Sequence, residues 1–217
     1  MAQVTNFKDR LADYAGSLSE ADDDALKQYV LDCCLEVIKG IQIKDYDQVY
    51  AFTAQSGTIS DGNPVDIVDT NTLIGVVRNG VQATRGNSST GVFYTDAASI
   101  YFASSRDPKF WVTNGALHIA PDPSGDETAF YHYIPKFSIN NFDSGITEIV
   151  DSETGNKSFP DKYYEPLLMC SAIKILNRRL NDYLENDEDI ELVNGIQAQI
   201  ARFDMEYQKL MGIEPKS

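Results

Sequence analysis

The chain has few of the residue types that usually carry chemistry: among 217 residues there are three cysteines, two histidines and one tryptophan. Cys33 and Cys34 are neighbours in an expected helix, where Cβ atoms diverge by ~100°, so they are poorly set to bridge each other. With Cys170 in another helix, the count is odd and no ligand spacing is present. The thiols read as reduced, small core hydrophobes of a chain folded in the cytoplasm. No apolar run approaches the ~20 residues that span a bilayer. The opening Met-Ala-Gln-Val-Thr-Asn-Phe-Lys-Asp lacks an apolar signal core, so neither membrane nor export is expected. Basic residues are scarce as well. Lys and Arg number 18 against 33 Asp and Glu, a net charge of −15, with a pI near 4.4. Such a surface repels phosphate backbones, which disfavours nucleic-acid binding yet lets DNA pass nearby without sticking.

Catalytic signatures are missing too. There is no G-x-S-x-G, no Walker A sequence and no G-x-G-x-x-G. Asp61-Gly62-Asn63 is too short for a calcium loop. The acidic pairs Asp66/Asp69 and Asp187/Asp189 fall in turn or linker contexts and read as solvated loops. His118 and His132 fall on neighbouring expected strands, so a zinc pair has to be weighed. His118 is out of phase with the apolar set Phe110, Val112, Leu117 and Ile119. His132 is in phase with Phe130 and Ile134. With both sets facing the core, the imidazoles point to opposite faces and no third ligand is evident, so they read as ordinary sheet histidines. No catalytic residue, metal or cofactor is expected.

What the chain does have is pattern. Val193, Ile196, Ile200, Phe203, Tyr207 and Leu210 alternate steps of three and four, the spacing of a helix seam. Before them, Leu167, Leu168, Ala172, Ile175, Leu176, Leu180 and Leu184 give another apolar helix face. Pro166 belongs in a first turn, so regular helix should begin close to Glu165 after an aromatic lead-in, Phe159–Tyr164. The acidic stretch 185–189 makes a short hairpin connection. At the other end, residues 5–15 predict a short helix stopped by Gly16. Ser19 to Asp22 reads as a cap. The stripe Leu26, Tyr29/Val30, Cys33/Cys34, Val37/Ile38 predicts a helix ending at Gly40. Its only long helical partner is the C-terminal hairpin, which predicts a three-helix bundle built from both chain ends.

From about Gln48 to Ser158 the composition turns to Gly, Ser, Thr, Asn and aromatics. Val49 to Gln55 reads as a strand, and Thr95 to Phe102 could hold a short helix. Leu73–Arg78, Asn79-Gly80 and Val81–Thr84 form one hairpin signal. Lys109–Thr113, Asn114-Gly115 and Ala116–Ala120 form a second, with Thr113 opposite Ala116, Val112 opposite Leu117 and Trp111 opposite His118. A turn at 121–126 then leads to a third strand, Thr128 to Ile134, predicting a three-stranded meander. The fold class is α+β: a helical bundle from residues 1–45 and 159–217, with an inserted antiparallel β region, 46–158.

Three stretches carry a resemblance. They are Phe7-Lys-Asp-Arg-Leu-Ala-Asp-Tyr-Ala-Gly16 with its following helix, Ser105-Arg-Asp-Pro-Lys-Phe-Trp-Val-Thr-Asn-Gly-Ala-Leu-His-Ile-Ala-Pro121, and Phe159-Pro-Asp-Lys-Tyr-Tyr-Glu-Pro-Leu-Leu-Met-Cys-Ser-Ala-Ile-Lys-Ile-Leu176 with the helix after it. In this order the chain resembles the head-to-tail connector (adaptor or neck) proteins of tailed bacteriophages. The Gly- and Asn-rich stretch 56–92 has no counterpart in the resemblance. The likeness implies a non-enzymatic structural protein of the virion neck, assembled in the host cytoplasm. It implies a ring of twelve copies that joins the portal of the head to a tail or nozzle protein, with DNA passing unbound through its channel. The candidate interface residues are Phe159, Tyr163 and Tyr164 in the lead-in, and Trp111, Arg78 and Arg85 in the β region. The alternative is a virion-associated carbohydrate- or protein-binding module that uses the aromatic β region. A hydrolase built on acidic residues is the remaining alternative, with no defended carboxylate pair.

Overall fold

The computed structural model describes residues 7–18, 23–44, 46–59, 64–67, 73–142, 147–152, 157–185 and 190–212. The cap expected at 19–22, the Asp61–Asn63 turn, Asp69 and the connection 186–189 lie outside the described residues. The chain is α+β and divides into two compact units, residues 1–52 with 136–217, and residues 53–135. The insert is therefore shorter at both ends than the 46–158 expected from composition. The residues reassigned to the helical unit include an antiparallel hairpin, β9 (Phe137–Asn140) with β10 (Glu148–Asp151), in which Ile149 faces Ile139.

In the helical unit, α1 (Phe7–Ala15), α2 (Asp23–Lys44) and α5 (Ile190–Met211) all pack on α4 (Tyr164–Glu185). The bundle thus has four helices rather than three. At nine residues α1 is too short to hold itself together in water. Distant residues satisfy its ends. The Phe7 amide donates to Thr147 Oγ1 at 3.0 Å. Gln199 Nε2 donates to the Tyr14 carbonyl at 2.8 Å, and the Arg179 guanidinium donates to the carbonyls of Ala15 and Ser17. Arg10 adds an ion pair to Glu165 at 2.6 Å. Glu165 also accepts from the Tyr14 hydroxyl, which raises the Tyr14 pKa; burial adds to the rise. Gly16 stops α1 as expected, at φ 78°.

Gly40 does not stop α2, which continues to Lys44. A Cβ at position 40 would lie 3.0 Å from Met211 Cε, so the glycine serves close helix approach instead. Met211 is buried at the end of α5 while Leu210 is half exposed, which moves the last seam position by one residue. Val49 to Phe52 is not strand but the end of a 3-10 segment, Tyr46–Phe52. Three residues per turn align Val49 with Phe52, and both are fully buried. A second 3-10 turn, Asp161–Tyr163, leads into α4.

The second unit contains two four-stranded sheets. One has the order β1 (Ala54–Gln55), β8 (Ala129–Tyr133), β3 (Leu73–Arg78), β4 (Val81–Gln82). The other has the order β2 (Val65–Asp66), β7 (Ala116–Ala120), β6 (Lys109–Thr113), β5 (Thr84–Arg85). Both Asn-Gly hairpins form, with positive φ at Asn79, Gly80, Asn114 and Gly115, as a two-residue loop of this type requires. The β6–β7 register pairs Thr113 with Ala116, Val112 with Leu117 and Trp111 with His118, as the spacing predicts. Val76, Ala129, Phe110, Leu117 and Ile119 share one core. The strand expected over 81–84 is divided at Ala83: β4 stays with β3, and β5 runs parallel to β6 in the other sheet.

The meander does not form. β8 pairs with β1 and β3, not with β7. Its register sets Tyr131 opposite the buried Val76, and directly paired residues share a face. Ala129 and Tyr131 therefore face the core, and Phe130 and His132 face away, reversing the assumed phase. His118 also lies on the outer side of its own sheet, so the two imidazoles remain separated, though for a different reason. The helix placed at 95–102 lies earlier, as α3 (Gly91–Thr95).

Candidate functional site

Of the six proposed contact residues, five are buried. Phe159 is fully buried against Phe52 (ring centroids 5.2 Å apart), Phe137 (5.5 Å) and Tyr164 (6.0 Å). The Tyr163 ring lies tilted against Phe52 at 5.0 Å, and its hydroxyl donates to Gln48 Oε1 at 2.6 Å. Tyr164 packs edge-on to Phe7 at 6.3 Å. The aromatic lead-in is thus the inner packing of the helical unit and offers no docking surface. Arg78 is 2% exposed: its Nε donates to the Pro121 carbonyl at 2.6 Å, and its guanidinium meets Glu127 at 2.5 Å. It fastens β3 to the 121–127 turn.

Trp111 is buried too, yet it leads to the most exposed apolar side chains among the described residues of this unit. Its ring stacks on His118, 5.1 Å away and nearly parallel, and meets Tyr94 at 5.2 Å. Tyr94, Ala103, Trp111 and Ala120 form a second small core on the outer side of the β6–β7 hairpin. The segment from Gly86 to Asp107 is built on it. The Tyr94 hydroxyl accepts from the Asn87 amide at 2.9 Å and shares a hydrogen with Thr90 Oγ1 at 2.7 Å. The Ala103 amide donates to the Tyr94 carbonyl at 2.9 Å. Gly91 is needed here because a Cβ would stand 2.4 Å from Trp111 Nε1.

The outer side of this segment is apolar. Val92 is 80% exposed and Ile100 is 91% exposed, with Phe93, Tyr101 and Phe102 about half exposed. Beside them opens a cleft of about 300 Å³ whose lining includes Arg85, Tyr94, Tyr101, Phe102 and Lys109. Arg85 is the one candidate from the sequence that lies at an exposed site. Lys109 pairs with Asp107 at 2.9 Å. Asp107 is the one carboxylate in the lining. Five large apolar side chains within eleven residues exceed the scattered single exposures normal for a surface. No family model matches the chain, and neither does any curated protein. The site therefore rests on geometry alone.

The sequence reasoning named Trp111 and Arg85, which bracket this surface, but missed Val92, Phe93, Ile100, Tyr101 and Phe102. A signal was present: these residues sit among Gly, Ser, Asn and Asp without period 2 or 3.6, so no regular element could bury them all. The helical unit has exposed apolar side chains as well, including Leu192, Met205 and Leu210 on α5. Leu192 and Leu210 lie on one line of that helix, five turns apart at 3.6 residues per turn. No helix of the described residues is long and apolar enough to cross a membrane.

Proposed function

We propose that the chain is a structural subunit of a tailed-phage neck, forming a ring that joins the portal of the head to the tail and lets DNA through. The observation that carries this reading is that both units leave large apolar side chains in water, on α5 and on the 92–102 segment. A ring subunit of a neck needs surfaces for its neighbouring copies and for the proteins on either side, beyond the faces that bury its own core. The helical positions Leu192 and Leu210 serve the contact between copies and with the portal. The aromatic segment of the β unit serves the tail or nozzle protein. The net charge of −15 suits a channel wall that DNA must slide past. Twelve copies is the number that the resemblance to connector proteins implies.

Native mass spectrometry and negative-stain microscopy of the purified chain test the reading. A closed ring is expected, reduced to monomers by Leu192→Glu with Leu210→Glu. A chain that stays monomeric over the micromolar range, and in the presence of portal, overturns it. A second reading is favoured by the exposure of Tyr101 and Phe102 at a cleft with two cations. In it the β unit is a carbohydrate-binding module of the virion. Glycan binding that is lost on Tyr101→Ala would support it. Trp111 has no part in such stacking, because it lies inside.

A further inference from the structure

The cysteines excluded as a motif by their spacing are brought together by the fold. Cys33 and Glu36 are three residues apart on α2, so they share a helix face. That face meets α4 at Cys170 and, one turn later, Lys174. The two sulfurs and a Glu36 carboxylate oxygen all lie within 4.8 Å of one another. The carboxylate is already turned to the thiols: the Cys170 thiol donates to Glu36 Oε2 at 3.3 Å, while Lys174 Nζ holds the other oxygen at 2.7 Å. Both thiols are buried, but Glu36 is exposed, which gives an ion a path in and leaves room for a water.

We propose that Cys33, Cys170 and Glu36 form a three-ligand site for a zinc-class divalent cation, clipping α2 to α4. Two sulfurs and one carboxylate oxygen are a borderline-soft donor set that suits Zn²⁺, with a water as fourth ligand. A tetrahedral ion with Zn–S bonds of ~2.3 Å sets its sulfurs ~3.8 Å apart, so the ligands close by at most ~1 Å, within reach of side-chain rotation. The protons of Cys33 and Cys170 leave to solvent as the ion binds, and its two positive charges replace theirs. Glu36 Oε2 turns from the Cys170 thiol to the ion while Lys174 stays on the other carboxylate oxygen, so the net charge of the site is unchanged. This site does not depend on the ring reading.

The test is a cobalt titration of the reduced full chain after treatment with chelator. Cobalt should bind one equivalent with an intense thiolate-to-metal absorption band, and zinc should bleach it. Cys33→Ser with Cys170→Ser should abolish the band, whereas Cys34→Ser should keep it. Glu36→Gln, a change at an exposed position, should weaken binding at least tenfold while leaving the circular dichroism unchanged. Zinc should raise the melting temperature of the natural chain and not that of the double serine variant. The site is overturned by a chain that gives no band, by a band that survives the double substitution, or by cobalt bound equally well to Glu36→Gln.

Discussion

The two units use aromatic side chains in opposite ways. In the helical unit Phe7, Phe52, Phe159, Tyr163 and Tyr164 point inward and join segments far apart in sequence. In the β unit Tyr94 and Trp111 form a buried pedestal, and Phe93, Tyr101 and Phe102 stand outside on the segment it supports. An aromatic cluster read from sequence therefore does not by itself mark a contact surface. What marks one is whether the chain around it has enough regular structure to enclose it. The α4 lead-in is wrapped by helices and by the β9–β10 hairpin. Residues 92–102 have only a five-residue helix and turns.

Trp111 is the single tryptophan, so its fluorescence reports the β unit, while the circular dichroism of the helices reports mostly the other. The largest expected effect is Phe159→Ala. Removing a fully buried ring should cost the helical transition about 3–5 kcal/mol in urea and leave the fluorescence transition in place. Glu127→Ala should do the reverse. It leaves the buried Arg78 charge without its partner and should lower the fluorescence transition by about 2 kcal/mol, less than a fully enclosed pair because Glu127 is partly in water. Arg78→Met, which removes the charge itself, should cost less than Glu127→Ala. The opposite order would mean that the carbonyl contacts of Arg78 matter more than the charge.

The smallest effect is a pH dependence confined to the β unit. Burial lowers the His132 pKa below its ordinary value near 6.5. Below that pH the unfolded chain binds a proton more readily than the folded one. The contribution is therefore complete above pH ~6.5 and is lost as the pH falls through the folded value. A shallow acid-side decline in the fluorescence midpoint is expected, and His132→Gln should flatten it. A decline of the same depth in the variant would assign it to another group.

The features legible in the sequence were local ones. The two Asn-Gly turns and the Trp111–His118 register follow from residues within a dozen positions of each other. The buried stripe of α5 follows from its own period, except at its end, where Met211 rather than Leu210 meets Gly40. What escaped depends on long-range pairing. No local pattern says that β8 pairs with β3, and that pairing decides which way Tyr131 and His132 point. Nothing local says that Phe137–Asn140 belongs with the helices. The placement of Cys33 beside Cys170 is likewise a product of helix packing. The exposed segment was half legible: its flanks Arg85 and Trp111 were named, and its apolar crest was not.

The division of the helical unit between the two chain ends fixes an order of events during synthesis. When α2 leaves the ribosome, the long helix it packs against is still unmade, more than a hundred residues further along the chain. At ~5–20 residues per second, α1 and α2 wait on the order of ten seconds for α4, and the inserted β unit is complete within that interval. The α4-facing side of the apolar stripe from Leu26 to Ile41 stays uncovered until then. A stretch open to wrong partners during synthesis is thus one that is buried once the fold is complete.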